Sequence, residues 1–563
     1  ITNLKRNYNH MRYVENMKIL VTAPSRKNHP KNNVLYDFIL QQDDWNDFSF
    51  ITKYHLYITT KLTGLDEIEY AGVVKIIKKD QSEADYYMVE EGEFSYLSDE
   101  FCSVGQSLDY YGRLSELGSE ICEGILTSLR DINMFDYVSE GFKNERAWER
   151  SIMRDLNNDD DIFILPKFII KNQFSAIPSI DMKFSFMYSG MINTLSFDFD
   201  SIQYGYFESE KLPCRMSVIV GRNGCGKSTT LARLSRVAYS STQDRKKEQI
   251  AKIGEILPEG LGFPKIINLS YSAFDSFQIP GCTFKEKKQL RQDILDGKGR
   301  YIYCGVRDVG AELDYVLANV DENNMDIEFI TLDRQERTIL KPLEVLSEEF
   351  YGVLIKIHKD SDKWNLFNKV MMKLREEVSL SEIIDEIFKD DFILKSKEYF
   401  HRLSTGHKFV LHSMAHILLY IEKRCLVLFD EPETHLHPPL LAVLMSALRI
   451  VLNEVDAFAI VATHSPVVVQ ETLSKNVNVI TRNGEFTDFQ RPEIETFGEN
   501  IGAITSSVFS LTTQITDYHD ELDKLIIEYK NNNNPLDDIE KCFDTGLSTQ
   551  ARSYVISKLA VKG

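Results

Sequence analysis

Four short stretches of this sequence carry residues whose types and spacing go beyond what packing needs. In SVIVGRNGCGKSTTLARL, the apolar run Ser217 to Val220 leads into Gly221-Arg222-Asn223-Gly224-Cys225-Gly226-Lys227-Ser228-Thr229 and then into a helical pattern. Glycines at 221, 224 and 226 let a backbone wrap with its N–H groups pointing inward, and the helix N-terminus behind them adds partial positive charge where phosphates sit. Residues 222 to 229 would line such a cradle, with Lys227 reaching the β- and γ-phosphates of ATP and Ser228 ligating Mg2+ through its hydroxyl. The bland alternative is a chance glycine-rich turn; a strand before it and a helix after it argue against that.

RCLVLFDEPETHLHP is the second stretch. Its apolar strand, Leu426 to Phe429, delivers Asp430 and Glu431 to a carboxyl end, the end at which open α/β sheets bind ligands. Asp430 is placed to hold Mg2+ and Glu431 to orient and deprotonate an attacking water. Adjacent acids after a strand are common, and the pair gains weight only beside the glycine loop. Third, HRLSTGHKFVLHSMAHILLY sets Ser404 and Gly406 just ahead of a long helix, where an ordinary N-cap is the simpler reading. Fourth, AFAIVATHSP ends an apolar strand at His464. His435 and His437 form an H-x-H, for which a structural role is favoured over zinc.

These pieces need an α/β sheet to converge, and the rest of the chain supplies one. Before about residue 180, β-like runs (TKYHLYITTKL, YAGVVKIIKK, ADYYMVEE) mix with helix near Ser115 to Arg130 and no catalytic motif, which reads as a structural or partner-docking domain. FSFMYSG and NTLSFDFD then lead into the sheet, RYIYCGV adds a strand, and Leu343 to Phe400 is mainly helical. The expected layout is an N-terminal mixed α/β domain over 1–180 and a nucleotide-binding head over 181–520 with a helical lobe at about 340–425. A C-terminal helical tail follows over 521–563, in which the turn NNNNPLDD stands in front of one short terminal helix, DIEKCFDTGLSTQARSYVISKLA.

The four motifs together resemble the ABC ATPase superfamily over about residues 183 to 515, and within it the SMC, RecF and OLD-type branch more than the transporters. The resemblance implies an ABC-type P-loop ATPase head that hydrolyses ATP with Mg2+. It also implies that two copies close head to tail, with Ser404 and Gly406 of one covering the γ-phosphate held by the other. Leu403, Ser404 and Gly406 match the family's LSGGQ signature, whereas Thr405 and His407 depart from it. His464 corresponds to the family's switch histidine, so the resemblance makes Glu431, His464 and Lys227 the catalytic set. The glutamine that normally follows the next strand is not assigned; Ser272 to Phe274 and Gln278 are candidates.

Length and charge narrow what the head could drive. At 563 residues with 43% hydrophobic content the chain is expected to be globular, and its longest apolar run, near Leu440 to Leu448, is interrupted by Arg449, so no membrane span is expected. Eight isolated cysteines fit a reducing cytoplasm. The net charge is −20, yet residues 211 to 300 hold 17 Lys and Arg against 8 Asp and Glu. Any nucleic-acid site is expected there, at Arg245, Lys246, Lys247, Lys285, Lys287, Lys288, Arg291, Lys298 or Arg300, with a lysine-rich solvated face as the equal alternative. No fused nuclease motif follows His464. The pattern resembles the ATPases of Septu-type bacterial anti-phage systems, some of them retron-associated, which implies a homodimer or higher homo-oligomer and a separate HNH-type nuclease. A RecF- or SMC-like DNA clamp is the second resemblance.

Overall fold

The computed structural model describes residues 17–25, 30–83, 85–179, 182–200, 202–204, 207–209, 212, 214–319, 330–389, 391–509 and 518–560. It divides into two compact units, Ile1–Glu499 and Asn500–Gly563.

The N-terminal part forms a sheet in the order β5-β1-β2-β3-β4-β6, from β1 (Ile19–Thr22), β2 (Phe38–Gln42), β3 (Lys53–Ile58), β4 (Glu69–Lys78), β5 (Gly92–Phe94) and β6 (Phe101–Gly105). Only β1 and β2 run parallel. Helix α1 (Leu108–Glu116), started by Ser107, whose hydroxyl accepts from Tyr110 N–H, packs on β4. The expected helix near Ser115 to Arg130 is α1's end and a second helix, Ser119–Ser128. The strand expected in ADYYMVEE is not formed over its described residues 85–91. The backbone there is satisfied by side chains: Val89 N–H donates to the Tyr54 hydroxyl (3.2 Å) and Val89 C=O accepts from Gln42 Nε2 (2.9 Å).

The second sheet is the one that positions the motifs. A small antiparallel cap of β7 (Lys183–Met187), β8 (Leu195–Asp198) and β12 (Glu255–Leu257) lies beside it, with a β9–β10 hairpin (Ile202–Tyr204, Phe207–Ser209). The seven main strands are β11 (Met216–Val220), β13 (Ile266–Ser270), β14 (Tyr301–Gly305), β15 (Leu426–Asp430), β16 (Phe458–Thr463), β17 (Val477–Asn483) and β18 (Phe486–Gln490). Their order is β14-β13-β15-β16-β11-β17-β18, parallel except for β18. MSVIV and FAIVAT are buried along their whole length, as strands covered on both faces must be. The register aligns the functional ends: Ser270 sits opposite Asp430, Asp430 opposite Ala462, and Val220 opposite Thr463.

Helix α2 (Lys227–Tyr239) follows β11, and α3 (Phe284–Asp296) precedes β14. The helices between β14 and β15 include α4 (Leu343–Lys359), α5 (Ser361–Leu374), α6 (Val378–Ile387), α7 (Phe392–Arg402) and α8 (Thr405–Tyr420). Helix α9 (Pro438–Val455), with proline in its first turn, is long and apolar enough by composition to cross a membrane, but half of it is buried inside the fold and its Leu440, Leu444, Leu448 and Leu452 are core residues.

The two sheets share one compact unit, joined by buried ion pairs: Arg113 to Asp293 (3.0 Å), Arg300 to Asp109 (2.9 Å) and Arg424 to Asp161 (2.9 Å). Much of the basic excess of residues 211 to 300 is matched within the fold. Arg245 donates to the carbonyls of Val237, Ala238, Glu259 and Leu261, Lys287 to Ile279 C=O, and Lys288 pairs with Glu67 and Arg291 with Asp314. Lys246 pairs with Glu259 and Lys247 with Asp244, while the Lys285 ammonium lies over the Tyr57 ring.

The tail unit begins at Asn500, ahead of the expected 521. Its last stretch is two helices, Pro535–Glu540 and Thr549–Ala560, in place of one, because Gly546 (φ 76°) turns the chain between them. Leu522, Ile526, Ile539 and Val555 form its core.

Candidate functional site: a phosphate loop and its acids

The loop from Gly221 to Thr229 is built as the glycine spacing requires. Gly224 (φ 78°) and Gly226 (φ 105°) occupy left-handed backbone, and a Cβ on Gly221 would lie 2.4 Å from Ile480 C=O on the neighbouring β17. Gly226 caps α2, so the helix opens at Lys227. Lys227 is buried at 4% exposure, and its ammonium donates to the carbonyls of Gly221 (3.2 Å) and Arg222 (3.3 Å). A cation held on loop carbonyls, in a loop that offers backbone N–H groups, suits a polyphosphate ligand. Arg222, Asn223 and Gly224 are exposed at the loop's crest, Cys225 is buried, and Ser228 and Thr229 are half-buried on the first turn of α2.

β15 brings Asp430 against this helix turn, where Asp430 and Ser228 line the same cavity. Burial, above all, pushes Asp430 up to about 8. Glu431 and Asp275 add to the rise, while Ser228 and Lys227 oppose it. Asp430 Oδ1 is out of solvent and has no hydrogen-bond partner among the described residues. An ionised acid there needs a cation, and Ser228 with Asp430 offers the hard oxygen donors that Mg2+ takes. Glu431 follows in left-handed backbone (φ 45°), its N–H fixed to Ala462 C=O at 2.8 Å. Among non-glycine residues that conformation is uncommon, and here it turns the chain sharply at the strand end.

Beneath Ser228 and Asp430 lies a polar cavity of about 20 Å³, room for one water. Asp275 and Arg307 line it, paired at 3.1 Å, and Arg307 also holds Glu312 through two bonds. Gln278, the candidate glutamine, lines the same cavity, with its N–H on Asp333 C=O (2.9 Å), and Phe274 nearby in sequence is 90% exposed. Asp275 and Arg307 went unread in the sequence because their partners lie 32 and 5 residues away along the chain, at spacings that mark no motif.

Ser404 caps α8 as an N-cap should, its hydroxyl accepting from His407 N–H at 3.3 Å. A Cβ on Gly406 would sit 2.9 Å from His435 C=O, so the glycine admits close packing of this turn on residues 432–435. Lys408 closes the preceding helix by donating to Leu403 C=O (2.6 Å) and His401 C=O (3.1 Å). The interior of α8 is tied to β13: the Tyr271 hydroxyl and His412 Nδ1 are 2.7 Å apart, Phe409 packs edge-on to Tyr271, and His412 faces Glu349. Burial pushes Glu349 up, but His412, 3.6 Å away, and the Lys341 charge prevail and hold it down to about 2.

His464 leaves the end of β16 with 43% of its side chain exposed. Its neighbour is Glu433, in the short turn Pro432–His435, 3.0 Å from His464 Nδ1. The signal for it was the second acid of DEPE. His437 lies 3.6 Å from Glu377 and His435 packs against Phe409.

At the carboxyl ends of the neighbouring strands β15, β16 and β11 the glycine loop with its lysine, Ser228 with Asp430 and the acid-rich turn come together in the form of a phosphate-loop nucleotide site. Residues 341–470 match the family described as "AAA domain, putative AbiEii toxin, Type IV TA system". The chain is also similar to protein ea59 of Escherichia phage lambda, 29% identical over 495 residues, covering 85% of this chain and 87% of that protein. Among solved structures, the ADP conformation of MJ1267, an ATP-binding cassette of an ABC transporter, is 11% identical over 58% of this chain and 95% of that one, with a TM-score of 0.25. A nucleotide-free ATP-binding cassette from an ABC transporter is 12% identical over 57% and 94%, with a TM-score of 0.24.

Proposed function

We propose that this chain hydrolyses ATP with Mg2+ as one half of a head-to-tail homodimer, and that in phage–host conflict it governs a separate HNH-type nuclease, as Septu-type ATPases of the PtuA kind do. The observation that supports the ATPase reading is the strand register, which brings the ends of β11, β15 and β16, and with them the loop before Lys227 and Ser228, the acids Asp430 and Glu431, and His464, to the same carboxyl side of the sheet. Support for the conflict setting comes from the toxin–antitoxin wording of the matched family and from the phage origin of protein ea59. Eight free cysteines suit a reducing cytoplasm.

In this reading the loop N–H groups and Lys227 bind the triphosphate, Lys227 exchanging carbonyl partners for phosphate oxygens. Mg2+, held by Ser228 and Asp430, supplies charge neutralisation on those oxygens. Glu431 orients a water and takes its proton, while Ser404 and Gly406 of the second copy close the site. A duplex-DNA clamp using residues 211 to 300 has less support, because so many of those cations already have partners in the fold.

The test is phosphate release from MgATP by the full chain, with solution mass measured with and without nucleotide. Release, together with an ATP-dependent dimer in Glu431→Gln, is expected; a chain that stays monomeric with ATP bound would contradict the head-to-tail site. For the nuclease, DNA cleavage should need a co-purifying HNH protein, and cleavage by the chain alone would overturn the proposed division of labour.

A further inference from the structure

Apart from the phosphate loop and its acids, the core between the sheet and α8 holds a second group of side chains able to grip a cation. Cys304 in β14 and His412 and His416 on α8 each offer one donor atom, and the three atoms lie within 4.8 Å of one another. All three residues are buried, at 1%, 2% and 7% exposure. Histidines four positions apart share one face of a helix, a spacing at which two rings can meet the same ion. Here the ring centroids are 4.2 Å apart.

The distances suit a metal with mixed sulfur and nitrogen ligands. Cys304 Sγ and His412 Nδ1 are 3.7 Å apart, close to the separation that bonds of about 2.3 and 2.0 Å give on a tetrahedral zinc. His416 Nδ1 lies 2.9 Å from His412 C=O, and since a carbonyl only accepts, Nδ1 carries the hydrogen and the lone pair is on Nε2. An outer hydrogen bond of that kind is how metal-bound histidines are held in orientation. The Tyr271 hydroxyl, just past β13, is 2.7 Å from His412 Nδ1 and 3.0 Å from Cys304 Sγ, which puts an oxygen beside both. On the far edge of the same ring, His412 Nε2 is out of solvent with no hydrogen-bond partner among the described residues, and Glu349 Oε2 lies 3.6 Å from it. A carboxylate on that side favours a ring that binds a cation through its other nitrogen.

Thiolate and imidazole donors select a thiophilic cation, unlike the hard oxygens of Ser228 and Asp430. We propose that Cys304, His412 and His416, with the Tyr271 oxygen in the fourth position, bind one Zn2+, the thiol proton passing to solvent as the thiolate forms. The site is closed, so the ion is structural and enters as the chain folds. It ties α8, whose cap and first turn carry Ser404 and Gly406, to the ends of β13 and β14. The competing arrangement is a metal-free core in which Tyr271, Cys304 and His412 only satisfy one another.

The experiment uses the full chain without a histidine tag, produced with zinc in the medium and freed of loose metal by gel filtration. Elemental analysis should find about one zinc per chain in the wild type, and less than about a tenth of that in Cys304→Ser and in His416→Gln. His437→Gln, in the exposed H-x-H, should keep all of it. A folded wild type without zinc overturns the proposal, and so does zinc retained in Cys304→Ser.

Should both site variants fail to fold, the wild type decides by itself. Refolded with Co2+ in place of zinc, it should show a thiolate-to-cobalt charge-transfer band in the near ultraviolet and the intense visible bands of a four-coordinate ion. Only the weak visible bands of an octahedral oxygen site would overturn the assignment. Wild type refolded with a chelator should melt several degrees below the zinc-loaded chain, and an equal melting temperature would contradict the structural role. No arm requires ATP, so the result stands apart from the ATPase reading.

Discussion

The two large sheets of this chain are made of similar strands and put their polar residues to different use. In the N-terminal sheet, charged groups are locked inside: Lys75 is 3% exposed and pairs with Asp47 at 2.7 Å, while also donating to Ser151 C=O. Asp131 is fully buried under the Tyr111 hydroxyl and the N–H groups of Asn133 and Gly105, and burial pushes it up to about 7. In the second sheet the corresponding groups sit at strand ends, and Asp430 Oδ1 and Glu433 Oε2 are left without protein partners among the described residues. Satisfied buried charges hold a fold together, and unsatisfied ones at a strand end are places for a ligand or cation.

Replacing a residue from each sheet should therefore give opposite signatures. Lys227→Ala is expected to lower ATP turnover on the order of 100-fold or more, by removing a donor aimed at transferring phosphate, with little change in the urea midpoint; a variant with full phosphate release would erase the distinction. Lys75→Met should do the reverse. Asp47 keeps Arg154 and the Ser151 hydroxyl, so losing the buried ammonium costs about 2 kcal/mol of stability, read from urea unfolding, while turnover per folded molecule stays near wild type.

A pH titration sharpens the comparison at the contact between β13, α4 and α8. The folded-state pKa of Glu349 is lowered from 4.5 to about 2, so its contribution to stability is present above pH 4.5 and is lost as pH falls toward about 2. Glu349→Gln should flatten that part of the acid-unfolding curve; an unchanged curve would remove this pair from the link to α8. The smallest effect belongs to the exposed edge of the sheet-to-sheet contact. Glu67→Gln breaks the ion pair with Lys288, exposed at 72% and 45%, and should change the unfolding free energy by less than about 1 kcal/mol, read from urea unfolding.

Much of the site was readable because its parts are contiguous. Gly221 to Thr229 carries strand, turn and helix start in one run, and LVLFDE delivers its acids on a single apolar strand, so local propensity and chemistry agree. Ser404 was readable both as an N-cap and as a motif residue, and the structure confirms the first role directly. What could not be read depends on closure between distant segments. Glu433 meets His464 across 31 residues, Arg307 meets Asp275 across 32, and Arg113 meets Asp293 across 180. The same reason undid the strand expected in ADYYMVEE: the Val89 N–H and C=O are taken by side chains of β3 and β2 and not by a neighbouring strand. The basic excess was counted correctly, but two of the acids that match it, Asp109 and Glu67, come from the N-terminal part and were invisible to a local count.

The central claim is that the strand-end acids and the glycine loop form one hydrolytic centre. Its most direct test is a single-turnover measurement with Glu431→Gln and MgATP, reading bound nucleotide and released phosphate on the same sample. The account predicts ATP held at near wild-type affinity while phosphate release falls by on the order of 100-fold. Release at the wild-type rate would contradict it.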